Sequence, residues 1–178
     1  MHLVSVIMPY FKKRNYVEMS IKSVINQTYK NFELIIVYDD KDRSDISYIK
    51  EIIANNEKIK LIINEKNVGA GNSRNVGIKF SNGEFIAFID SDDYWNKNKL
   101  TKQMEYINKN NYEFVFCDYE KIINDKKKII HSKKSLNYNQ LLKSCDIGLS
   151  TVVLKKKIIK NTLFPNLLSE IYHIMGLI

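Results

Sequence analysis

Asp90, Asp92 and Asp93 put three carboxylates into four residues, directly behind the apolar run Phe85-Ile86-Ala87-Phe88-Ile89. Charges this close repel one another. A divalent cation with oxygen ligands would offset that repulsion, and a cation bridging to a diphosphate would explain acids at the end of a strand. The plainer reading is that Asp92 or Asp93 caps a following helix while the rest is a solvated turn. A second acidic pair, Asp39-Asp40, closes the apolar run 32–37 behind Tyr38. Pro9-Tyr10 stops the run 3–8, and the turn Asn67-Val68-Gly69-Ala70-Gly71 follows the run 59–63.

All of these places stand just after an apolar run, so the elements that carry them matter. Runs this short and continuous suit strands buried on both faces. Helical periodicity lies between them. Val17, Ile21, Val24 and Ile25 share one face; Ile46, Ile49 and Ile53 share another, with Ser44 as the expected cap. Val76 and Phe80 mark a third helix, Asn82-Gly83 turns the chain into the run 85–89, and Leu100, Met104 and Ile107 mark a fourth helix before a strand over Phe114 to Cys117. This alternation predicts an α/β fold: a doubly wound, mostly parallel, Rossmann-like sheet. Ligands of such sheets bind beyond the carboxyl ends of the strands. Pro9-Tyr10, Asp39-Asp40, Asn67 to Gly71 and Asp90 to Asp92 should therefore share one rim and form a nucleotide-binding crevice. The pattern changes after residue 119. Ile122-Ile123 and Ile129-Ile130 suggest a hairpin, Asn137 to Ser144 a short helix, and Thr151 to Leu154 a strand. We divide the chain into a nucleotide-binding part, 1–119, and a smaller second part of the same domain, 120–178.

The 178 residues carry a net charge of +8. The lysines fall in scattered groups (12–13, 126–128, 133–134, 155–157) without interleaved aromatics, which argues against a nucleic-acid partner. A solvated surface is the default reading of that charge, and attraction to an anionic membrane surface is the weaker one. No apolar stretch reaches the roughly 18 residues that span a bilayer, and the N-terminus shows no signal-peptide pattern. Cys117 and Cys145 are too few for a disulfide framework and read as small buried hydrophobes. A cytoplasmic setting is expected. A nicotinamide-dinucleotide reading of Gly69-Ala70-Gly71 fails because Arg74 stands where the third glycine belongs.

Taken in order, Val4 to Tyr10, Ser23 to Tyr29, Phe32 to Asp40, Asn67 to Asn75 and Gly83 to Trp95 resemble the family 2 glycosyltransferases, densely over about the first 120 residues. The resemblance implies a glycosyltransferase A-type fold and inverting transfer from a nucleotide-sugar, usually a UDP-sugar, in synthesis of a surface polysaccharide or lipid-linked glycan. It implies that Pro9 and Tyr10 line the nucleotide pocket and that one of Asp39 and Asp40 reads the base. Here Lys41-Asp42-Arg43 replaces the family's usual Gly-Ser, which leaves the register of that loop open by one residue. Gly69, Arg74 and Asn75 match the turn and helix start facing the donor. Asp90-Ser91-Asp92 matches the DXD motif, with Asp92 binding Mg or Mn and Asp90 beside it, nearer the ribose. The catalytic base of the family is an acid in a Glu-Asp pair. The matching place is Glu170-Ile171, so the Asp is replaced and Glu170 would have to serve; the chain ends seven residues later. The expectation from that departure is an incomplete acceptor side. The alternative to an active enzyme is a truncated, catalytically impaired nucleotide-sugar-binding remnant. Expected partners are the UDP-sugar, a glycan or lipid-linked acceptor, and the inner membrane surface as a peripheral contact.

Overall fold

The computed structural model describes residues 1–124, 126–132, 147–159 and 164. Strands β1 (Val4–Tyr10), β2 (Phe32–Tyr38), β3 (Ile59–Ile63) and β4 (Phe85–Phe88) alternate with helices α1 (Arg14–Ile25), α2 (Ile46–Ile53) and α3 (Ala70–Lys79). Helix α4 (Lys99–Asn110) leads to β5 (Phe114–Val115), then to the hairpin β6 (Tyr119–Ile123) and β7 (Lys126–Ile130), and finally to β8 (Val153–Lys155). The main sheet runs β3-β2-β1-β4-β8-β5. Its β3, β2, β1 and β4 strands pair in parallel, while β8 is antiparallel to both β4 and β5.

Both faces of the sheet are covered, and the parity of β1 shows how. Val4, Val6, Met8 and Tyr10 join α1, α2 and α4 in one core; Ile7 joins Ile78 of α3, Phe88 and Leu154 in the other. Every residue of β1 and β2 is buried, which is why their sequences show no polar alternation. Helix α3 lies close on β1 because residue 77 is glycine. A Cβ there would stand 2.4 Å from Ile7 Cγ2.

Local expectations differ from the structure at a few places. Ser44 does not cap α2; Asp45 precedes the helix, and its carboxylate is engaged by Tyr10 and Arg14. Neither Asp92 nor Asp93 caps a helix, because an extended loop intervenes before α4 starts after Asn98. The strand expected over Phe114 to Cys117 pairs only at Phe114–Val115, since β8 offers partners no further than Val153. The one expected over Thr151 to Leu154 is a 3-10 turn, Leu149–Thr151, followed by β8. Cys117 is half-buried and directs Sγ at the Thr151 carbonyl, 3.8 Å away. Asn137 to Ser144 and Cys145 lie outside the described residues.

Candidate functional site

At the carboxyl ends of β1, β2 and β4 lies a groove of about 420 Å³. Pro9, Tyr10, Phe11 and Lys13 come to it from the end of β1, and Asp39 from the end of β2. Asn67, Gly69, Ala70 and Arg74 enter from the start of α3, and Asp90, Ser91 and Asp92 from beyond β4. Residues far apart in sequence meet here because parallel strands all end on one edge.

Asp39 organises one wall of this groove. Its Oδ1 accepts from the backbone N–H of Val68 (2.9 Å) and from Asn64 Nδ2 (2.8 Å), and its Oδ2 accepts from the N–H of Gly69 (2.8 Å). Its carbonyl accepts from Asn67 Nδ2, and its N–H donates to the Tyr10 carbonyl. Asp40 is also buried but directs Oδ1 to the N–H of Asp42, outside the groove lining. Of the two acids, Asp39 lines the groove and Asp40 does not. Tyr10 stacks on Tyr38 with centroids 5.0 Å apart and donates its hydroxyl to Asp45, 2.5 Å away. Burial, reinforced by that carboxylate, pushes the Tyr10 phenol well above its ordinary pKa. The hydrogen bond from Tyr10, with one from Arg14, holds Asp45 below the usual carboxylate range against the opposing effect of desolvation.

The three crowded acids each have their own partner. Asp90 pairs with the buried Arg74 (2.6 Å), Asp92 with Lys13 (2.7 Å), and Asp93 accepts from the Ser150 hydroxyl (2.5 Å). Ser150 also accepts from the N–H of Asp90, while its carbonyl takes the Trp95 indole N–H. Desolvation raises the Asp93 pKa; the negative neighbours Asp90 and Asp92 add to this, against the Ser150 hydrogen bond and Lys13. Protein groups therefore offset part of the repulsion within the cluster, and the crowding alone does not demand a metal.

The fit of a divalent cation has to rest on donor chemistry instead. Asp90 and Asp92 supply hard oxygen donors at the groove, and both carboxylates are partly exposed. Among the described residues no group of three His, Cys, Asp or Glu side chains could hold a metal. Mg and Mn are commonly held by one or two carboxylates and completed by substrate phosphates and water, and Asp90 with Asp92 is a donor set of that kind. Lys13 occupies Asp92 in this arrangement.

Of the expected site residues, Pro9, Tyr10, Asp39, Gly69, Arg74, Asp90, Ser91 and Asp92 line the groove. Asn75 does not; its side chain exchanges two hydrogen bonds with the backbone of Phe164, tying a late part of the chain to α3. Glu170 lies outside the described residues. Sequence reasoning passed over Lys13, Asn64 and Ser150. Lys13 and Asn64 carry no local signal, and Ser150 reaches Asp90 across a separation of 60 residues. The Ser23 to Tyr29 stretch turns out to be scaffold for the acidic loop. Ser23 Oγ accepts from the N–H of Trp95, and the buried Gln27 side chain binds the Asn96 carbonyl and the N–H of Leu100.

The family described as "Glycosyl transferase family 2" matches residues 5–177. The chain is 41% identical over 174 residues to the Escherichia coli UDP-Glc:alpha-D-GlcNAc-diphosphoundecaprenol beta-1,3-glucosyltransferase WfgD, covering 97% of this chain and 68% of WfgD. It is 34% identical to the putative teichuronic acid biosynthesis glycosyltransferase TuaG of Bacillus subtilis, over 93% of this chain and 67% of TuaG. Among solved structures it resembles S. aureus TarS 1-349 in complex with UDP-GlcNAc, with a TM-score of 0.76 and 26% identity, over 98% of this chain and 52% of TarS 1-349. The chain thus spans about two thirds of these two curated relatives and about half of that TarS chain.

Proposed function

Because the chain belongs to glycosyl transferase family 2, we propose that it transfers a sugar, with inversion, from a UDP-sugar to a glycan or lipid-linked acceptor in surface-polysaccharide synthesis at the cytoplasmic face of the membrane. The observation that carries the reading is the meeting of Asp39, Gly69, Arg74, Asp90 and Asp92 in one groove at the strand ends. The similarity to WfgD makes UDP-glucose and a GlcNAc-diphospholipid the first donor and acceptor to assay.

Residues 1–119 are assigned to the donor and 120–178 to the acceptor side. A carboxylate has about four acceptor positions. Asp39 uses three of its own on Asn64, Val68 and Gly69, which leaves one for the N3–H of uracil. Pro9 and Tyr10 then bound the nucleotide. The start of α3 offers backbone N–H groups and the positive end of its dipole to the diphosphate, and Arg74, fixed by Asp90, adds a guanidinium beneath it. Asp92, with Asp90, would hold Mg or Mn, which when bound neutralises charge on the departing diphosphate. Attack from the opposite face requires a general base for the acceptor hydroxyl, and Glu170 is the residue proposed for it. If Glu170 does not serve, the chain is a nucleotide-sugar-binding protein without transfer activity.

The deciding experiment is calorimetric titration with UDP, in Mn and then with the metal chelated. Binding should require Mn and be lost in Asp92→Asn. Equal binding after chelation would remove the cation from the reading, and no binding under either condition would remove the donor site. Transfer of glucose from UDP-glucose to a GlcNAc-diphospholipid, with UDP released, compared between the wild-type chain and Glu170→Gln, separates enzyme from binding protein.

A further inference from the structure

The hairpin β6–β7 forms a two-stranded sheet of its own, apart from the main sheet. An isolated pair of strands is at best marginally stable in water, so its anchoring and its exposed faces both need an account. The base is fixed. Asp118 accepts from the Ser132 N–H (2.8 Å) and hydroxyl (2.7 Å) and pairs with His131, and the Tyr119 ring lies beside Gly148. Beyond that base, Ile122, Ile123 and Ile129 are 44%, 55% and 57% exposed.

The register places Lys121 directly opposite Lys128, and Ile123 opposite Lys126. Side chains alternate between faces along a strand, so Lys121, Lys126 and Lys128 project from the same face, where they line a shallow groove with Ile123 and Asn124. Glu120 belongs to the other face, where it pairs with Lys127 at 3.2 Å. Like charges directly opposite one another destabilise an antiparallel pair. Within the described residues nothing acidic on this face offsets the Lys121–Lys128 repulsion. A plane of phosphates would turn that repulsion into attraction. The lysine stems are long enough to keep their ammonium groups at phosphate level while a neighbouring isoleucine enters the apolar boundary.

We propose that the β6–β7 hairpin is the docking surface of this chain for an anionic lipid bilayer, with Lys121, Lys126 and Lys128 against the headgroup phosphates and Ile123 in the interface. The bilayer as partner rests on the reading of a lipid-linked acceptor; the lysine ladder itself does not. Over residues 119–130 four lysines stand against Glu120 and Asp125, so the attraction comes from how the charges are arranged on one face more than from their sum. Docking here would hold the chain beside a membrane-borne acceptor and asks no helix of the described residues to cross the bilayer. Among the described residues no helix is long and apolar enough to do so.

The test is co-sedimentation of the 178-residue chain with phosphatidylglycerol–phosphatidylcholine vesicles and with pure phosphatidylcholine vesicles. Binding should occur only with phosphatidylglycerol and fall steeply at about 0.5 M salt. The double variant Lys121→Glu/Lys128→Glu should lower partitioning by about thirtyfold or more, and Ile123→Ser should weaken what remains in salt. Lys50→Glu/Lys109→Glu changes net charge equally at exposed sites on other elements and should retain most of the binding. UDP affinity, measured on the same samples, should be unchanged in all variants; its absence in the wild-type chain would count against the donor site and leave the vesicle result standing. Equal loss in the two double variants would mean diffuse attraction and overturn the assignment to the hairpin. So would equal binding to both vesicle types, or no vesicle binding by the wild-type chain. A hairpin variant that alters only the oligomeric state would show that this face meets another polypeptide instead.

Discussion

Gly69 holds φ at +84° and ψ at 160° just before the first turn of α3, a region that essentially only glycine adopts. An added Cβ would meet no atom within 4 Å. The cost of Gly69→Ala is therefore backbone strain alone, about 1–3 kcal/mol. The chain can relieve that strain only by turning the 69 N–H away from Asp39, which dismantles the groove wall. We expect a modest fall in melting temperature and at least a tenfold loss of UDP affinity by calorimetry. A loss of stability with unchanged affinity would show that the loop does not contact the donor. At this scale the sequence was informative where residue type is itself the constraint, as with a glycine in a turn or an acid at a strand end. It was silent on Asp39 against Asp40, because adjacent carboxylates differ only in the direction that the end of β2 sends them.

At the opposite end of the sheet from the groove, β1, β2, β3 and the turn before β4 are tied together by one acid. The buried Glu33 of β2 accepts from Ser5 Oγ and the Asn82 N–H on Oε1, and from Lys60 Nζ on Oε2. Burial pushes its pKa up, but the hydrogen bonds from Lys60, Ser5 and Asn82 outweigh this and hold it below 4.5. A carboxyl whose pKa is lower in the folded state contributes stability above its unfolded pKa, and that contribution is lost as pH falls through the folded value. Stability should thus fall away below about pH 4.5. Glu33→Gln should flatten that limb and destabilise the neutral protein by about 1–3 kcal/mol, because donors are left facing an amide; chemical denaturation across pH checks both. UDP affinity should survive at 25 °C, since no element of the groove is altered. The strands themselves were legible from their apolar runs. Glu33, interrupting one of them, gave no hint of its partners, which arrive from three other segments.

For the molecule as a whole, the joint between the first 119 residues and the later chain is the packing of α4 on the 148–151 turn. Lys99 is buried there, its Nζ 4.0 Å from the Trp95 ring centroid and 2.7 Å from Gln103 Oε1, while Gln103 Nε2 binds the Thr151 carbonyl. Burial pushes the Lys99 pKa down to about 7, with Cys117 acting weakly in the other direction. Between about pH 7 and the ordinary lysine value the unfolded chain holds a proton that the folded chain has lost, so stability rises with pH across that window. Below it the full cost of a buried charge is present. Lys99→Met should remove that slope and raise the melting temperature more at about pH 6 than at about pH 10. A wild-type profile that is flat from neutral to alkaline pH would show that Lys99 is solvated in the folded chain.

Periodicity and the residues at the strand ends were sufficient by themselves to determine the α/β class, the order of the first elements and the rim on which the groove lies. These are local properties: an apolar run fixes a buried strand, and parallel strands must end on a common edge. The tertiary structure alone decided the pairings across the sheet. Strand β8 inserts between β4 and β5, Ser150 reaches the acidic loop, Lys13 meets Asp92, and Asn75 turns to Phe164 and away from the groove. Such contacts join segments up to 89 residues apart. Chain direction and packing at each strand end select among equally polar candidates, and neither quantity is written in the spacing of residues.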